Sequence, residues 1–409
     1  MSSASPMIYS SAELADRQKN IRRAMLFGGF SSFSMLYCVQ PLMPLLANSF
    51  QLSAAQSSWV LSISTLCLAL SLVMCSVISE IVGRKSMMIW AVTISASATL
   101  LCSVVQNYPQ LLLLRALLGI ALGGMPAVAY AYLSEEVDRD ALASTIGLYI
   151  AGSALGGMSG RLINALLCDV FSWQISFAIM GCIGLYSAWE FWRSIPEAKH
   201  FKPYQRGDKS FMASVMRIMA GFGQHLVHRH LVILFALGFI LTGCFTSFYN
   251  YLSFRLVAAP FHFSQASLGA ISVFYLLGMA SAIWVGSLIA KHGRYRLIQM
   301  TLISMVLGLL LTLSSNIALI VAGTALFTFC FFAAHSVASS TIAQLAQAPK
   351  ALASAIYLFC YYAGASVLGS VGGSLWMAFS WSGVVYFQSG LLVLALVMTT
   401  SLSWRTRVI

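Results

Sequence analysis

Three observations predict an all-α membrane protein with twelve transmembrane helices: few charged residues, long apolar runs and an internal repeat. The 409 residues are 59% hydrophobic and 8% charged, whereas a soluble protein carries about 25% charged residues. Apolar runs of the ~20 residues that a helix needs to cross a bilayer recur along the whole chain. The runs are continuous, whereas a transmembrane barrel strand has ~10 residues of alternating polarity. The predicted spans are therefore helices.

The internal repeat relates positions 210 residues apart. The string SVISEIVGRK at 76–85 is similar to GSLIAKHGRY at 286–295, and ALASTI at 141–146 is similar to ALASAI at 351–356. Two unrelated patterns at one offset indicate a duplicated chain, and repeats of whole membrane halves are typical of transporters. We therefore predict two pseudo-symmetric six-helix bundles.

The predicted spans follow one another through short loops. Spans one to six are expected at 25–47, 57–80, 86–105, 109–133, 141–167 and 173–192. Spans seven to twelve are expected at 231–254, 267–290, 297–314, 317–343, 351–377 and 383–402. One longer segment then divides the chain into an N-terminal bundle, a central cytoplasmic loop and a C-terminal bundle, at 1–192, 193–230 and 231–409.

The central loop combines apolar and basic residues. Apolar residues at helical spacing between Phe211 and Phe222 predict an amphipathic helix on the inner membrane surface. Three histidines follow without a cysteine or carboxylate beside them, so an interfacial polar cluster is favoured over a metal site at His225, His228 and His230. We predict no metal and no cofactor. The first twenty-four residues are polar and lack the apolar core of a signal peptide.

Lysine and arginine are concentrated on one side of the predicted membrane. With the N-terminus inside, the outer side holds only Arg255. The inner segments hold Arg17, Lys19, Arg22, Arg23, Arg84, Lys85, Arg139, Lys291, Arg294, Arg296, Lys350, Arg405, Arg407 and the basic residues of the central loop. Since positively charged loops stay in the cytoplasm, both termini are expected there. This topology accounts for the net charge of +12, so we predict no nucleic-acid partner.

The loop after span two combines an acid, a glycine and two basic residues. Gly83 permits a tight turn with positive φ, and Glu80 can pair with a basic residue or cap the next helix. Arg84 and Lys85 are expected to stay in water at the membrane edge. The second copy repeats the basic part of the pattern at Lys291, Gly293 and Arg294.

Spans four and five each carry an arginine and a row of small residues. Arg115 lies on one helix face with Gly119 and Gly123. An arginine inside the membrane costs about 2.5–3.5 kcal/mol on insertion scales and should face the bundle interior. Backbone carbonyls are one expected set of partners for its guanidinium, which would then serve the structure alone.

The glycine row of span five has a spacing of four residues that lets two helices approach closely. It comprises Gly152, Gly156 and Gly160, and Arg161 ends it. We predict no carboxylate at mid-membrane, so the two arginines create a positive field that could attract an anionic or zwitterionic substrate. Structural anchoring of both arginines is the alternative.

Other polar and aromatic side chains fall inside the predicted spans. Because intramembrane polar groups tend to face the interior, we expect them to line a cavity, with packing as the alternative. His335 is the only histidine expected at mid-membrane, and histidine can titrate near neutral pH. The complete candidate set is Tyr37, Gln40, Tyr249, Asn250, His335, Tyr361 and Tyr362.

These motifs together resemble the major facilitator superfamily. The loop at 76–85 is similar to its Gly-x-x-x-Asp-Arg-x-Gly-Arg-Lys/Arg signature, and RALLGIALG resembles its Arg-x-x-x-Gly motif. Span five resembles its antiporter motif, with Gly157 where the family has proline. The strings YCVQPLMP, GSALGGMSGR and YNYLSFRLVAAPF are similar to the acriflavine-sensitivity (YnfM-like) branch of twelve-span drug/proton antiporters.

The resemblance implies roles for several residues. It implies a charge latch in the loop after span two that breaks when the bundles rock, with pairing of Glu80 and Arg139 as one geometry. It implies a part for Arg115 in proton coupling. It also implies that spans one, four, seven and ten line the cavity, which makes Gln40, Asn250 and His335 substrate-binding candidates.

The function expected from this resemblance is proton-coupled efflux of small organic compounds across a bacterial inner membrane. The transporter is expected to be a monomer with the lipid bilayer, protons and a small-molecule substrate as its partners. A sugar or organic-anion transporter is the alternative. A membrane enzyme is disfavoured because HExxH and GxSxG are absent, and a nucleotide-driven pump because GxxxxGK[ST] is absent.

Overall fold

The computed structural model describes residues 11–198, 225–346 and 350–403. Within these ranges the chain is helical and contains no β-strand. Eleven helical segments are long and apolar enough to cross a membrane, and the last of them contains two spans. The described chain is therefore an all-α membrane protein with twelve transmembrane helices in two six-helix bundles. The amphipathic helix predicted between Phe211 and Phe222 lies outside the described residues.

The first bundle consists of spans one to six. Span one comprises Ser11–Tyr37, a 3-10 turn at Gln40–Leu42 and Met43–Phe50. Spans two and three are Ala54–Val82 and Arg84–Leu101, the latter followed by a 3-10 turn at Cys102–Val104. Span four is divided into Tyr108–Leu122 and Pro126–Glu136. Spans five and six are Arg139–Val170 and Trp173–Ser194.

The second bundle consists of spans seven to twelve. Span seven is Arg229–Val257. Span eight comprises Gln265–Ala270, a 3-10 turn at Ile271–Phe274 and Tyr275–His292. Spans nine and ten are Arg294–Leu311 and Ile317–Leu345. Spans eleven and twelve form one segment, Lys350–Ser403.

Three spans depart from the predicted single helices, and proline explains two of the breaks. Pro41 lies at the start of the 3-10 turn in span one, and Pro126 begins the second helix of span four. Proline has no backbone N–H to donate, so it is tolerated in the first turn of a helix and interrupts one elsewhere. The structure also begins span one at Ser11, fourteen residues before the predicted start.

The predicted loop between spans eleven and twelve is reduced to a kink. The 54-residue segment is helical on both sides of Ser380, whose φ of 55° and ψ of −151° are not helical. The stretches on either side, 350–379 and 381–403, are each long enough to cross a bilayer at 1.5 Å per residue. The chain thus reverses with almost no linker, because one residue with positive φ supplies the turn.

The glycines of span five hold that helix directly against the backbone of span one. A Cβ built on Gly152 would lie 2.5 Å from the carbonyl oxygen of Leu26, and one on Gly156 only 2.2 Å from that of Phe30. The Cβ position at Gly160 lies 2.6 Å from the carbonyl oxygen of Ser34. The contact therefore repeats every four residues on both helices, as the predicted glycine row requires.

The two bundles meet at the end of the molecule opposite the Gly83 and Gly293 turns. A Cβ on Gly373 in span eleven would lie 2.4 Å from Cα of Ala55 at the start of span two. A Cβ on Gly269 in span eight would lie 2.5 Å from Cβ of Ala165 near the end of span five. Small residues thus close this end of the molecule, which is the outer end in the predicted orientation.

The turns after spans two and eight have the backbone geometry predicted for them. Gly83 has φ of 95° and Gly293 has φ of 77°. Each glycine ends one helix and begins the next. A side chain is strained at these angles, so glycine lets each pair of spans reverse without a longer loop.

Replacing Gly156 by leucine is expected to lower the yield of folded protein strongly. The added side chain would overlap the Phe30 carbonyl, and span five cannot withdraw without breaking the contacts on either side of it. Gly147→Leu is the matched control, because no atom lies within 4 Å of a Cβ at that position in the same helix. Size-exclusion chromatography of both variants checks the prediction. Equal monodisperse yields would contradict it.

Replacing Gly83 by valine is expected to leave the protein inserted but destabilised by about 1–3 kcal/mol, the cost of a strained backbone conformation. Transport should be nearly lost, since the turn sets how spans two and three move together. Gly286→Val is the control, because that glycine has open space around its Cβ position. Thermal unfolding and flux are measured on both. A Gly83→Val protein as stable and active as the control would show that transport does not depend on this turn.

Candidate functional site

Arg161 lies at the centre of a polar site between the two bundles. Its side chain is 2% exposed. Nε donates to Oε1 of Gln40 at 2.6 Å, and Nη1 donates to the carbonyl oxygen of Gly157 at 2.6 Å. The rings of Tyr37 and Tyr275 lie 4.2 and 4.6 Å from its Cζ atom. Cation–π contacts and amide oxygens thus stabilise the guanidinium where a carboxylate would be the usual partner.

Gln40 connects this arginine to the second bundle. Its Nε2 atom donates to Oδ1 of Asn250 at 2.7 Å and to the carbonyl oxygen of Thr246 at 3.4 Å. Gln40 and Asn250 are 210 positions apart, the offset of the internal repeat. Equivalent positions of the two halves therefore meet at the pseudo-twofold axis, and the hydrogen bond between them joins span one to span seven.

A small cavity opens beside Arg161. Its volume of about 10 Å³ is close to the space that one water molecule occupies. Besides Gln40 and Arg161, it is lined by Pro41, Tyr249, Leu252, Ser253, Leu268, Ile271 and Ser272. These residues come from spans one, five, seven and eight, so both bundles contribute to the cavity.

The second intramembrane arginine has different surroundings. Arg115 is fully buried, and its guanidinium donates to three carbonyl oxygens. Nε bonds to Val60 at 3.1 Å, Nη1 to Met35 at 2.9 Å and Nη2 to Leu36 at 2.5 Å. Each nitrogen of this group therefore has a backbone partner. Backbone carbonyls are one of the sets of partners that the sequence led us to expect for Arg115. Arg115 ties span four to spans one and two.

His335 belongs to an aromatic cluster in the second bundle. Its Nδ1 atom lies 2.8 Å from the hydroxyl of Tyr357, and its ring is 4.8 Å from that of Tyr361. The ring of Tyr361 in turn lies 5.2 Å from that of Tyr362, which is buried among residues of the first bundle. The predicted residues of spans ten and eleven thus form one group that reaches across the bundle interface.

The hydroxyl of Tyr249 lies 2.8 Å from that of Thr328. Tyr249 lines the cavity, and its contact with Thr328 also connects spans seven and ten. Of the predicted cavity residues, the structure brings Tyr37, Gln40, Arg161, Tyr249 and Asn250 into one site, while His335, Tyr361 and Tyr362 form the neighbouring cluster.

The loop after span two corrects one expectation. Arg84 is 6% exposed and does not stay in water. Its Nη2 atom lies 2.7 Å from Glu80 and 3.0 Å from Glu135 of span four, and Nη1 donates to Ser79 at 2.6 Å. Because two carboxylates and a hydroxyl surround the guanidinium, its burial is compensated.

The remaining residues of the predicted latch have other environments. Lys85 is partly buried and pairs with Glu197 at 2.7 Å. In the second copy Arg294 lies 3.5 Å from Thr341, and Lys291 is exposed. Glu80 pairs with Arg84, and the side chain of Arg139 lies outside the described part of the chain. Gly119 in span four packs against span two, because a Cβ there would lie 2.2 Å from the Ser64 carbonyl oxygen.

Sequence reasoning missed two residues of these sites. The guanidinium of Arg161 lies over the ring of Tyr275, but Tyr275 lies in an apolar stretch of span eight that carries no polar signal. Glu135 pairs with Arg84 across 51 positions, and only its place at the inner end of span four, at the level of the loop, could have suggested the pair.

The sequence profile of the Major Facilitator Superfamily matches residues 25–347. The inner membrane transport protein YnfM of Escherichia coli K12 is 42% identical over 93% of this chain and 90% of the relative. An uncharacterized MFS-type transporter of Bacillus subtilis, YybF, is 34% identical over 92% of each chain.

Solved structures show the same fold. A bacterial homolog of the human lysosomal transporter Spinster superposes with a TM-score of 0.76 at 14% identity, over 94% of this chain and 96% of that one. The peptide transporter POT superposes with a TM-score of 0.75 at 12% identity, over 96% and 94%. The chain therefore belongs to the major facilitator superfamily and is a membrane transporter of its YnfM-like branch.

Proposed function

We propose that this transporter exports small organic compounds from the cytoplasm by exchange for protons. It acts as a monomer in a bacterial inner membrane, with both termini in the cytoplasm. The two bundles rock about the polar site that contains Arg161, Gln40 and Asn250, and each rocking step exposes that site to one side of the membrane.

The observation that carries the proposal is the position of this site between the bundles. Residues of spans one, five, seven and eight line one cavity, and the Gln40–Asn250 hydrogen bond joins the bundles at the pseudo-twofold axis. A group bound there touches both bundles, so its binding energy can differ between the two orientations. Such a difference is what a ligand needs to shift a conformational equilibrium.

The charge cluster at the inner end supports a conformational cycle. Arg84 holds span three to span two through Glu80 and to span four through Glu135. These spans move as one body while the pairs last. Rearrangement of the pairs during rocking is the latch that the family resemblance implies, and protonation of a carboxylate in this cluster offers one way to couple it to protons.

Transport of an organic anion is the second candidate, and the charge distribution favours it. All eleven acidic residues of the sequence lie before residue 209. None of those that the structure describes faces Arg161. A cationic substrate would therefore meet an uncompensated positive charge, whereas an anion would neutralise it.

Cysteines at Ser62 and Gly369 are expected to form a disulfide that blocks transport. A Cβ on Gly369 would lie 3.4 Å from the Ser62 hydroxyl oxygen, which brings the two side chains within the range of a disulfide. The pair is introduced into a variant whose nine native cysteines are replaced by serine or alanine. Each single cysteine serves as a control.

Oxidant should stop flux in the double variant, and reductant should restore it. In the proposed cycle the bundles must separate at the end opposite the Gly83 and Gly293 turns, and the disulfide would prevent this. Flux that continues at the normal rate with the cross-link fully formed would contradict the rocking mechanism.

Proton exchange is tested in proteoliposomes that contain a trapped pH indicator. Acriflavine and a panel of neutral, cationic and anionic compounds are added with and without a pH gradient. We expect compound-dependent proton movement in wild-type vesicles and little in Gly83→Val vesicles. Compound flux at the same rate with and without the pH gradient would exclude proton coupling. An absence of flux for every compound of the panel would argue against the proposed substrates.

A further inference from the structure

We infer that Arg161 binds a carboxylate group of the substrate through the edge of its guanidinium, so that the transported compound is a small organic monocarboxylate. This inference deepens the proposed function and rests on it for the statement that the ligand is carried. Three observations support the binding site: the unused donors of Arg161, the tyrosine rings beside its guanidinium, and the unpaired polar atoms of Asn250 and Tyr275.

The first observation is the number of unused donors on Arg161. A guanidinium has five N–H groups. One on Nε is used by Gln40 and one on Nη1 by the Gly157 carbonyl. Within the described chain Nη2 has no hydrogen-bond partner, so three N–H groups remain. Arg115 contrasts with it, since each of its three nitrogens donates to a carbonyl oxygen.

The second observation is the direction in which these donors are accessible. The Cζ atom of Arg161 lies over the rings of Tyr37 and Tyr275, within 4.6 Å of each centroid. Arg161 also lines the cavity, so an incoming group reaches the guanidinium from the side that the two rings leave open. A planar carboxylate forms two parallel N–H···O bonds with one edge of a guanidinium, which is the pairing that favours arginine over lysine.

The third observation is a pair of unpaired polar atoms next to the arginine. Nδ2 of Asn250 and the hydroxyl of Tyr275 are buried, and neither has a hydrogen-bond partner in the described chain. Asn250 shares Gln40 with Arg161, and the Tyr275 ring contacts the guanidinium. Buried donors without acceptors are costly. Neither residue lines the cavity in this arrangement of the bundles, so we assign these donors to a ligand oxygen only after the bundles separate.

Charge and shape narrow the ligand further. One arginine without a carboxylate partner calls for a single negative charge. The cavity of about 10 Å³ has room for about one water molecule, so a carboxylate enters it only when the bundles separate. Apolar side chains of Leu252, Leu268 and Ile271 line it beside Arg161. The carboxylate head thus lies against the guanidinium, and an apolar body extends from it when the bundles separate.

The test measures binding to the purified full-length protein in detergent, where no transport takes place. The probes are formate, acetate, butyrate and benzoate, each paired with its neutral amide and with chloride at equal ionic strength. Thermal unfolding is followed over a concentration series. We expect at least one carboxylate to raise the melting temperature, and its amide and chloride to leave it unchanged.

Substitutions locate the binding group. Arg161→Lys should weaken the apparent affinity about tenfold or more, since a hydrogen bond to a charged group contributes that much. Asn250→Asp keeps the shape of the side chain and places an internal carboxylate beside the site, so it should abolish carboxylate binding in a folded protein. Arg255→Lys is the control, because that guanidinium donates to the carbonyls of Thr312, Leu313 and Ser314 away from the cavity.

Several results would overturn the inference. They are equal stabilisation by carboxylates and amides, equal stabilisation by chloride, no stabilisation by any carboxylate, or an Arg161→Lys protein that binds like the wild type. Failure of the proposed function has a different signature. Carboxylate binding without proton-dependent flux would refute proton-driven export and leave the carboxylate site standing. Proton-driven flux of neutral or cationic compounds alone would refute the carboxylate site and leave proton-driven export standing.

Discussion

Two arginine side chains have to be accommodated inside the membrane without a carboxylate facing either of them in the described chain. Both solutions use the same stretch of span one. Arg115 takes the carbonyl oxygens of Met35 and Leu36, and Arg161 takes Gln40 and the ring of Tyr37. The 3-10 turn that begins at Gln40 ends the regular helix of span one at this level. Spans two, four and five are fixed by the same requirement, since they carry the arginines or supply the remaining carbonyls.

This arrangement packs the first bundle tightly next to the proposed binding site. The glycines of span five hold the backbone of span one at a distance that no side chain would allow. Arg161 follows directly after the last of these glycines, so its position relative to span one is set by backbone contact and not by flexible side chains. A binding group held on rigid elements loses little entropy when it meets its ligand.

The two halves share an architecture and differ in charge. Their turns at Gly83 and Gly293 have similar angles, and Gln40 meets Asn250 as its equivalent across the pseudo-twofold axis. The acids, however, are confined to the first half and the central loop. Pairs such as Arg84 with Glu135 are therefore available only to the first bundle. In the second bundle, Arg294 contacts the hydroxyl of Thr341 instead. The internal repeat accounts for the shared fold, whereas only the first half and the central loop contain carboxylates that can pair with arginine.

The amino-acid sequence alone determined the fold class, the glycine turn and a close helix contact along the glycine row of span five, because each depends on local spacing or on composition. The family was identified from motifs that resemble its signatures. The sequence also identified Arg161, since a charge in an apolar run is visible without any structure. The tertiary structure decided which partners these groups have. Glu80 pairs with Arg84, Arg84 is buried, and the guanidinium of Arg161 lies over the ring of Tyr275. Such contacts join residues up to 210 positions apart, and their geometry follows from how whole helices pack, which a single span does not encode.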